Sequence, residues 1–216
     1  MEISPLTINR LSLYLRCLRS IEADGVTQIS SQQLADRFHL SAAQIRKDLA
    51  QLGELGIRGL GYKVAPLQRR LTESLGLDQF HPLIIVGMGN LGSALASSVG
   101  FNSGCFRVVA GLDNDPAKIG RRIGSVEVRP STDLARLVTE TAAEIGVLTV
   151  PPEAAQENYD ALADAGVRSV LNFVPVQLDL HPEVRTKSVD LRIDLEELGY
   201  FLSVPGEFDP EPRPGR

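Results

Sequence analysis

Apolar side chains recur every three or four positions at Ile8, Leu11, Leu15, Leu18 and Ile21, so the pattern predicts an amphipathic helix over about 7–22, closed by Asp24-Gly25. Two capping boxes follow, Ser30 with Gln33 and Ser41 with Gln44, in which a hydroxyl accepts from the backbone three residues on and the glutamine reaches back. They predict short helices at about 31–38 and 42–52 that meet at His39-Leu40, a connection tight enough to specify a helix-turn-helix. On the second of these helices Ile45, Leu49 and Leu52 share one face, while Gln44, Lys47 and Gln51 share another, flanked by Arg46. Cations and amides are the side chains that suit guanine edges, adenine edges and phosphates in a major groove, so these four are candidate DNA contacts. The glycine-rich stretch 54–64 then predicts a short hairpin, a wing, containing Gly59 and Tyr62 with Arg58 at its tip. A cation there can enter an adjacent minor groove. A further helix is expected over about 66–75, with Pro66 as its first residue.

Beyond residue 80 the pattern changes. Leu83-Ile84-Ile85-Val86 reads as a buried strand that leads directly into Gly87-Met88-Gly89-Asn90-Leu91-Gly92 and a helix over 93–98. This is a glycine fingerprint in its proper context: tight turn, backbone N–H groups open to a pyrophosphate, and close helix-to-strand packing. A second strand at 108–112 ends on Asp113, where an acidic side chain accepts from the adenosine ribose and repels a 2'-phosphate, so NADH and NAD+ are preferred over their phosphorylated counterparts. The alternation continues with helix 133–139, strand 145–150, helix 152–165 and strand 167–172, which specifies a doubly wound parallel sheet. Such sheets bind ligands beyond the carboxyl ends of their strands, so Thr149, Val150, Pro151, Asn172 and Phe173 are expected along the far side of the cleft. Finally, 190–202 places apolar residues 191, 195, 198, 201 and 202 on one side of a helix, with Asp194, Glu196 and Glu197 elsewhere. Such a helix suits a dimer partner as well as its own domain.

A length of 216 residues favours two domains. The fold class read here is α/β: a winged helix-turn-helix domain at 1–78, a Rossmann domain at 79–188, a terminal helix at 189–204 and a tail at 205–216. The net charge of -5 is unevenly spread, for residues 1–77 hold ten Lys/Arg against seven Asp/Glu. The N-terminal third is therefore the basic end, where a polyanion would dock. No run approaches the roughly 18 apolar residues that span a bilayer, and acidic Glu2 sits where a secretion signal would be basic, so a cytoplasmic protein without membrane contact is expected. Cys17 and Cys105 match no metal-ligand spacing, and neither a metal site nor a disulfide is expected.

Two other functions share these features. A dehydrogenase needs a proton donor beside the nicotinamide, and His39, His81 and His181 all fall outside such a place; no motif accompanies Lys118 or Lys187 either. With about 130 residues beyond the basic end, little room remains for a substrate domain, so an enzyme is not expected. A regulator sensing another nucleotide ligand, such as coenzyme A, remains an alternative, against which Asp113 argues because coenzyme A carries a 3'-phosphate.

Several segments, in their order and spacing, resemble the Rex family of NADH-responsive transcriptional repressors over nearly the whole chain. They are Arg46-Lys47-Asp48-Leu49, Arg58-Gly59-Leu60-Gly61-Tyr62, residues 87–94 and 112–120, Thr149-Val150-Pro151 with Ala155-Gln156, Leu171-Asn172-Phe173 and Val189-Asp190-Leu191. The resemblance implies a homodimer that binds a double-stranded, inverted-repeat operator, with each terminal helix reaching across to the other subunit. It further implies that NADH closes the dimer into a form unable to bind DNA, and it places Asp190 near the nicotinamide of the partner subunit. Two positions depart from the family: Gln51-Leu52 replaces a common Tyr-Phe, and Ser98 stands where many members carry a tyrosine near the nicotinamide. From the second departure we expect a smaller contrast between NADH and NAD+ than is usual for the family.

Overall fold

The computed structural model describes residues 3–57 and 59–203. It forms two compact units, one running up to Asp78 and the other beginning at Gln79. The tail expected at 205–216, and Arg58 at the expected wing tip, lie outside the described residues.

In the first unit α1 (Pro5–Ala23) is capped by Ser4, whose hydroxyl accepts from the Thr7 N–H at 3.2 Å. Its buried stripe runs through Thr7, Leu11, Tyr14, Leu18 and Ile21. Ile8, which periodicity assigns to that stripe, remains 42% exposed because Thr7 enters the core in its place. Helices α2 (Ser31–Phe38) and α3 (Ala42–Ala50) meet at His39, which adopts a left-handed φ of 54° and turns the chain at once. Ser30 and Gln33 form the full reciprocal box; Ser41 caps α3, but Gln44 does not reach back.

The wing is smaller than the glycine pattern suggests. Among the described residues a single bridge joins Ile57 to Gly61, and β2 (Tyr62–Lys63) pairs with β1 (Gln28–Ile29), a strand the hydrophobic pattern does not reveal. Gly61 explains the choice of partner. At φ +81° it lies so close to β1 that a Cβ there would meet the Ile29 carbonyl oxygen at 2.5 Å. Helix α4 (Val64–Ser74) starts two residues before Pro66, which is tolerated because N–H groups in a first turn have no helical partner. Leu18, Ile21, Leu34, Ile45, Leu49, Leu67 and Leu71 fill the core, each stabilising by roughly 1.5–3 kcal/mol when fully buried.

The second unit is a seven-stranded sheet in the order β5-β6-β4-β3-β7-β8-β9: β3 (His81–Val86), β4 (Phe106–Asp113), β5 (Arg122–Ile123), β6 (Val126–Pro130), β7 (Ile145–Leu148), β8 (Ser169–Asn172) and β9 (Arg185–Ser188). All neighbours are parallel except β5 with β6. Leu83, Ile85, Val108 and Val147 point to the face beneath α5 (Asn90–Ser97), whereas Ile84, Val86, Ala110 and Leu112 point to the face beneath α6 (Leu134–Thr141) and α7 (Ala155–Asp164). Helix α8 (Leu191–Ser203) follows β9 with no buried residue. No helix among the described residues is long and apolar enough to cross a membrane.

Candidate nucleic-acid interface and nucleotide cleft

Helix α3 is fixed through a charge on its buried side. Asp48 is fully buried and accepts from Arg10 twice, Nε to Oδ2 at 2.6 Å and Nη2 to Oδ1 at 2.8 Å. The Tyr14 hydroxyl donates to Oδ2 at 2.9 Å and the Gln44 amide to Oδ1 at 2.8 Å. The Arg10 bonds hold Asp48 below the usual carboxylate range despite its burial, and burial with the adjacent carboxylate pushes the Tyr14 phenol far above its ordinary value. Gln44 therefore differs from its expected role. Its NH2 group donates to Asp48, a charged acceptor stronger than solvent, and with the side chain drawn there its Oε1 does not accept the Ser41 N–H as a capping box would require.

The charged side chains that α3 leaves to solvent are Arg46 and Lys47. Arg46 donates to the Ser31 hydroxyl at 2.9 Å, and Lys47 has no hydrogen-bond or ion-pair partner among the described residues. Gln51 is half-buried at the C-cap of the helix. Between α3 and the wing lies a concavity of about 740 Å3, open to solvent, with Arg46, Gly59, Gly61 and Tyr62 in its wall. Sequence reasoning passed over Arg10 and Tyr14; the signal for them was an aspartate between two residues of an apolar face.

The second site lies where the strand order reverses, between β3 and β7, beyond their carboxyl ends. There Gly87, Gly89, Asp113, Thr149, Val150 and Pro151 line a cleft of about 450 Å3. The turn that begins it is over-determined. Gly87 has φ +95° and a Cβ there would meet the Thr149 carbonyl oxygen at 2.6 Å; at Gly92 a Cβ would fall 2.0 Å from the Gly87 oxygen. The Thr149 hydroxyl clamps this turn by donating to the carbonyls of Val86 and Gly87 at 3.1 and 2.7 Å. Gly89, the N-cap of α5, is different: a Cβ there meets no protein atom within 4 Å. Nothing in the packing requires glycine at 89. The space its missing side chain leaves lies at the head of α5, where free N–H groups and the helix dipole favour a phosphate.

Asp113 faces this space from the end of β4. Burial would raise its pKa, but the hydrogen bond and charge of Lys118, with the N–H groups of Asp115 and Met88, outweigh burial and hold it below the ordinary carboxylate range. Its Oδ2 accepts from Met88 N–H at 2.8 Å and from Lys118 Nζ at 2.9 Å, and its Oδ1 accepts from Asp115 N–H at 2.9 Å. Lys118, Asn114, Ser131 and Asn158 also line the cleft and were not anticipated as binding residues.

The remaining expected residues have other surroundings. The Met88 side chain is buried in the core, Gly92 packs helix on strand, and Asn90 and Leu91 are exposed in the first turn of α5. Asn172 and Phe173 do not line this cleft. The buried Asn172 amide accepts from Val174 N–H at 2.8 Å and donates to Val174 O at 3.0 Å, closing the turn after β8, while Phe173 packs against the sheet. Asp190 accepts from Arg192 N–H at 3.0 Å at the start of α8. Ser98 accepts from Gly100 N–H at 3.2 Å and caps a turn of 3-10 helix there, work that a hydroxyl at Cβ can do and a phenol cannot.

Two family models match the chain. One, described as "Putative DNA-binding protein N-terminus", covers residues 2–50, and one described as "CoA binding domain" covers residues 78–176. A protein of Desulforamulus reducens named "Redox-sensing transcriptional repressor Rex" is 43% identical over 204 residues, spanning 94% of this chain and 97% of that protein. One of the same name from Streptomyces griseus is 43% identical and spans 90% of this chain and 77% of that protein. Among solved structures, the repressor RSP in complex with NAD+ and operator DNA is 34% identical, covers 94% of both chains and superposes with a TM-score of 0.90. RSP in complex with NADH covers 94% of this chain and 95% of its own, with a TM-score of 0.84.

Proposed function

The chain belongs to the Rex family of redox-sensing transcriptional repressors, and from that premise we propose how this molecule carries out repression and release. It holds operator DNA through α3 and the wing, and it leaves the operator when NADH fills the cleft between β3 and β7. The observation that carries this reading is Gly89: a glycine that the protein's own packing does not need, at the head of α5, within a cleft whose wall also carries an acid suited to a ribose. Gly87, Gly89, Asp113, Thr149, Val150 and Pro151 form the nucleotide subsite, with the N–H groups of Asn90 and Leu91 toward the pyrophosphate. The nicotinamide supplies the redox state that is sensed, and the chain acts as a regulator and not as an enzyme, in keeping with the names of its relatives. The coenzyme A alternative is disfavoured because the relatives are named as redox-sensing repressors and the similar structures hold NAD+ or NADH.

In DNA binding, Lys47 reads bases, Arg46 and Gln51 flank it, and Gly59, Tyr62 and Arg58 of the wing position the duplex. Domains at 1–78 and 79–188 divide the two tasks. The protein works as a homodimer, a reading supported by α8, where Leu191, Leu195, Leu198, Phe201 and Leu202 are all exposed in the single chain. An apolar stripe of that size is a marker of an association surface. Substituting Lys47→Ala tests the DNA half: operator affinity is expected to fall by about 1–3 kcal/mol per half-site, with a much smaller loss on random DNA. Equal losses on both would make Lys47 a phosphate contact.

The cleft is tested by two glycines with opposite demands. Gly89→Ala is expected to melt within about 1 kcal/mol of the wild type, as N-cap glycine-to-alanine changes do, yet to lose NADH affinity. Gly92→Ala, whose Cβ would overlap the Gly87 oxygen, should instead lose roughly 1–3 kcal/mol of stability as overpacked sites do. Calorimetry with and without NADH separates the two, and full NADH binding by Gly89→Ala would place the pyrophosphate elsewhere.

A further inference from the structure

Asp113 does not stand alone in the cleft. Lys118 lines the same wall, and its ammonium lies 2.9 Å from Asp113 Oδ2 and 4.0 Å from a carboxylate oxygen of Asp115. The lysine is held there by its backbone. Residues 115–118 form a tight turn in which Lys118 N–H donates to Asp115 O at 2.9 Å, and the Asp115 side chain accepts from Ala117 N–H at 2.9 Å.

We infer that Lys118 is a specificity-determining residue of the nucleotide cleft: it offsets the charge of Asp113 and gives the adenosine 2'-position a cation, so that the cleft tolerates a 2'-phosphate that an unpaired acid would reject. The inference rests on the nucleotide reading above. A carboxylate offers about four acceptor sites, and three are filled here by Met88 N–H, Asp115 N–H and Lys118. One remains for a ribose hydroxyl, enough to recognise NADH. An ammonium has three donors, and Asp113 takes one. Asp115 lies 4.0 Å away, beyond hydrogen-bond distance, so the others are left to solvent in the cleft wall, where the side chain is one-third exposed. An incoming 2'-phosphate therefore meets a cation as well as an acid. The acid sets the preference for NADH, and the lysine limits it.

The experiment measures the affinities of the full-length protein for NADH and NADPH by the fluorescence of the reduced nicotinamide, which is excited at wavelengths where the side chains do not absorb. Lys118→Met should weaken NADPH roughly tenfold more than NADH, the scale of one charge-assisted contact, and so widen the preference. Lys118→Arg should keep the wild-type ratio. Asp113→Asn should move the ratio the other way, since the lysine is then unopposed. Adenosine 2',5'-bisphosphate against AMP, as competitors, confines the effect to the adenosine half. Equal losses for both dinucleotides in Lys118→Met would overturn the inference and reduce Lys118 to a support for Asp113. Unchanged affinities for both overturn it too, as does a wild type that binds NADH and not NADPH, and each leaves the nucleotide reading intact. If the wild type binds neither dinucleotide, both fall together.

Discussion

Replacing Arg10 with methionine is expected to destabilise the first unit by about 3–5 kcal/mol, the range for removing one partner of a buried ion pair. The reason is asymmetric burial. Asp48 is fully enclosed, and without the bidentate guanidinium its charge keeps only the Tyr14 hydroxyl and the Gln44 amide as compensation. Arg10 is itself one-third exposed, so Asp48→Leu leaves a cation that can turn to water and should cost less. The double variant Arg10→Met with Asp48→Leu is expected to be more stable than Arg10→Met alone, because an apolar pair of similar volume removes the buried charge altogether. Hydrogen exchange at the amides of α1 and α3 reads these differences within the full chain.

The same pair makes a signed prediction about pH. The Arg10 bonds depress the folded pKa of Asp48, so its contribution to stability is fully present above the ordinary carboxylate pKa and is lost as pH falls through the lower folded value. In Arg10→Met burial dominates instead and raises that pKa, so the variant should gain relative stability on acidification. A variant whose acid profile matches the wild type would mean that Tyr14 and Gln44 suffice to hold the charge. Operator affinity should follow stability in the series, since α3 is oriented against α1 through Asp48.

Much of this arrangement was legible along the chain, for reasons that differ element by element. Helices α1 to α4 announce themselves because a buried stripe must recur every three or four residues and because Ser30 and Ser41 cap locally, whereas the Ser4 cap, which starts α1 two residues before the periodic pattern does, lies outside that reading. The glycine turn is legible because Gly87 and Gly92 are required by backbone overlap, a constraint that no side chain elsewhere can relieve. What stays hidden depends on partners distant in sequence. Strand β9, Arg185-Thr186-Lys187-Ser188, carries no apolar pattern and exists only because β8 offers it an edge. Strand β1 is two residues held by Gly61. Asp48 and Lys118 read as surface charges by type, and only the folded chain shows one enclosed and the other paired with Asp113 in the wall of a cleft. Gln44 is legible as a capping residue by spacing, but a nearby carboxylate outcompetes the bond that spacing implies.

NADH is expected to weaken operator binding, and operator to weaken NADH binding by the same factor, because two sites linked through one molecule must respond reciprocally. A coupling of roughly 1–3 kcal/mol corresponds to a 5- to 150-fold change in operator affinity, well within reach of an anisotropy titration. NADH shifts the population of the released state only through contacts that are better there. In the proposed mechanism the cleft would supply such contacts at the head of α5, and α8, exposed along its apolar side in the single chain, would supply the element whose seating on a second copy differs between the two states. NAD+ should act more weakly, since in that mechanism its cationic ring would draw on the carboxylate of Asp190, which in the single chain accepts from Arg192 N–H at the start of α8. Ser98 brings no phenol to that place, so the contrast between the two redox forms should be smaller than in relatives that carry tyrosine there. The Gly89→Ala variant is the internal control: with operator binding intact and the cleft blocked, its DNA affinity should stay constant at every NADH concentration. If saturating NADH binds the wild type and leaves its operator affinity unchanged, the second unit is a scaffold for assembly and the sensing mechanism is refuted.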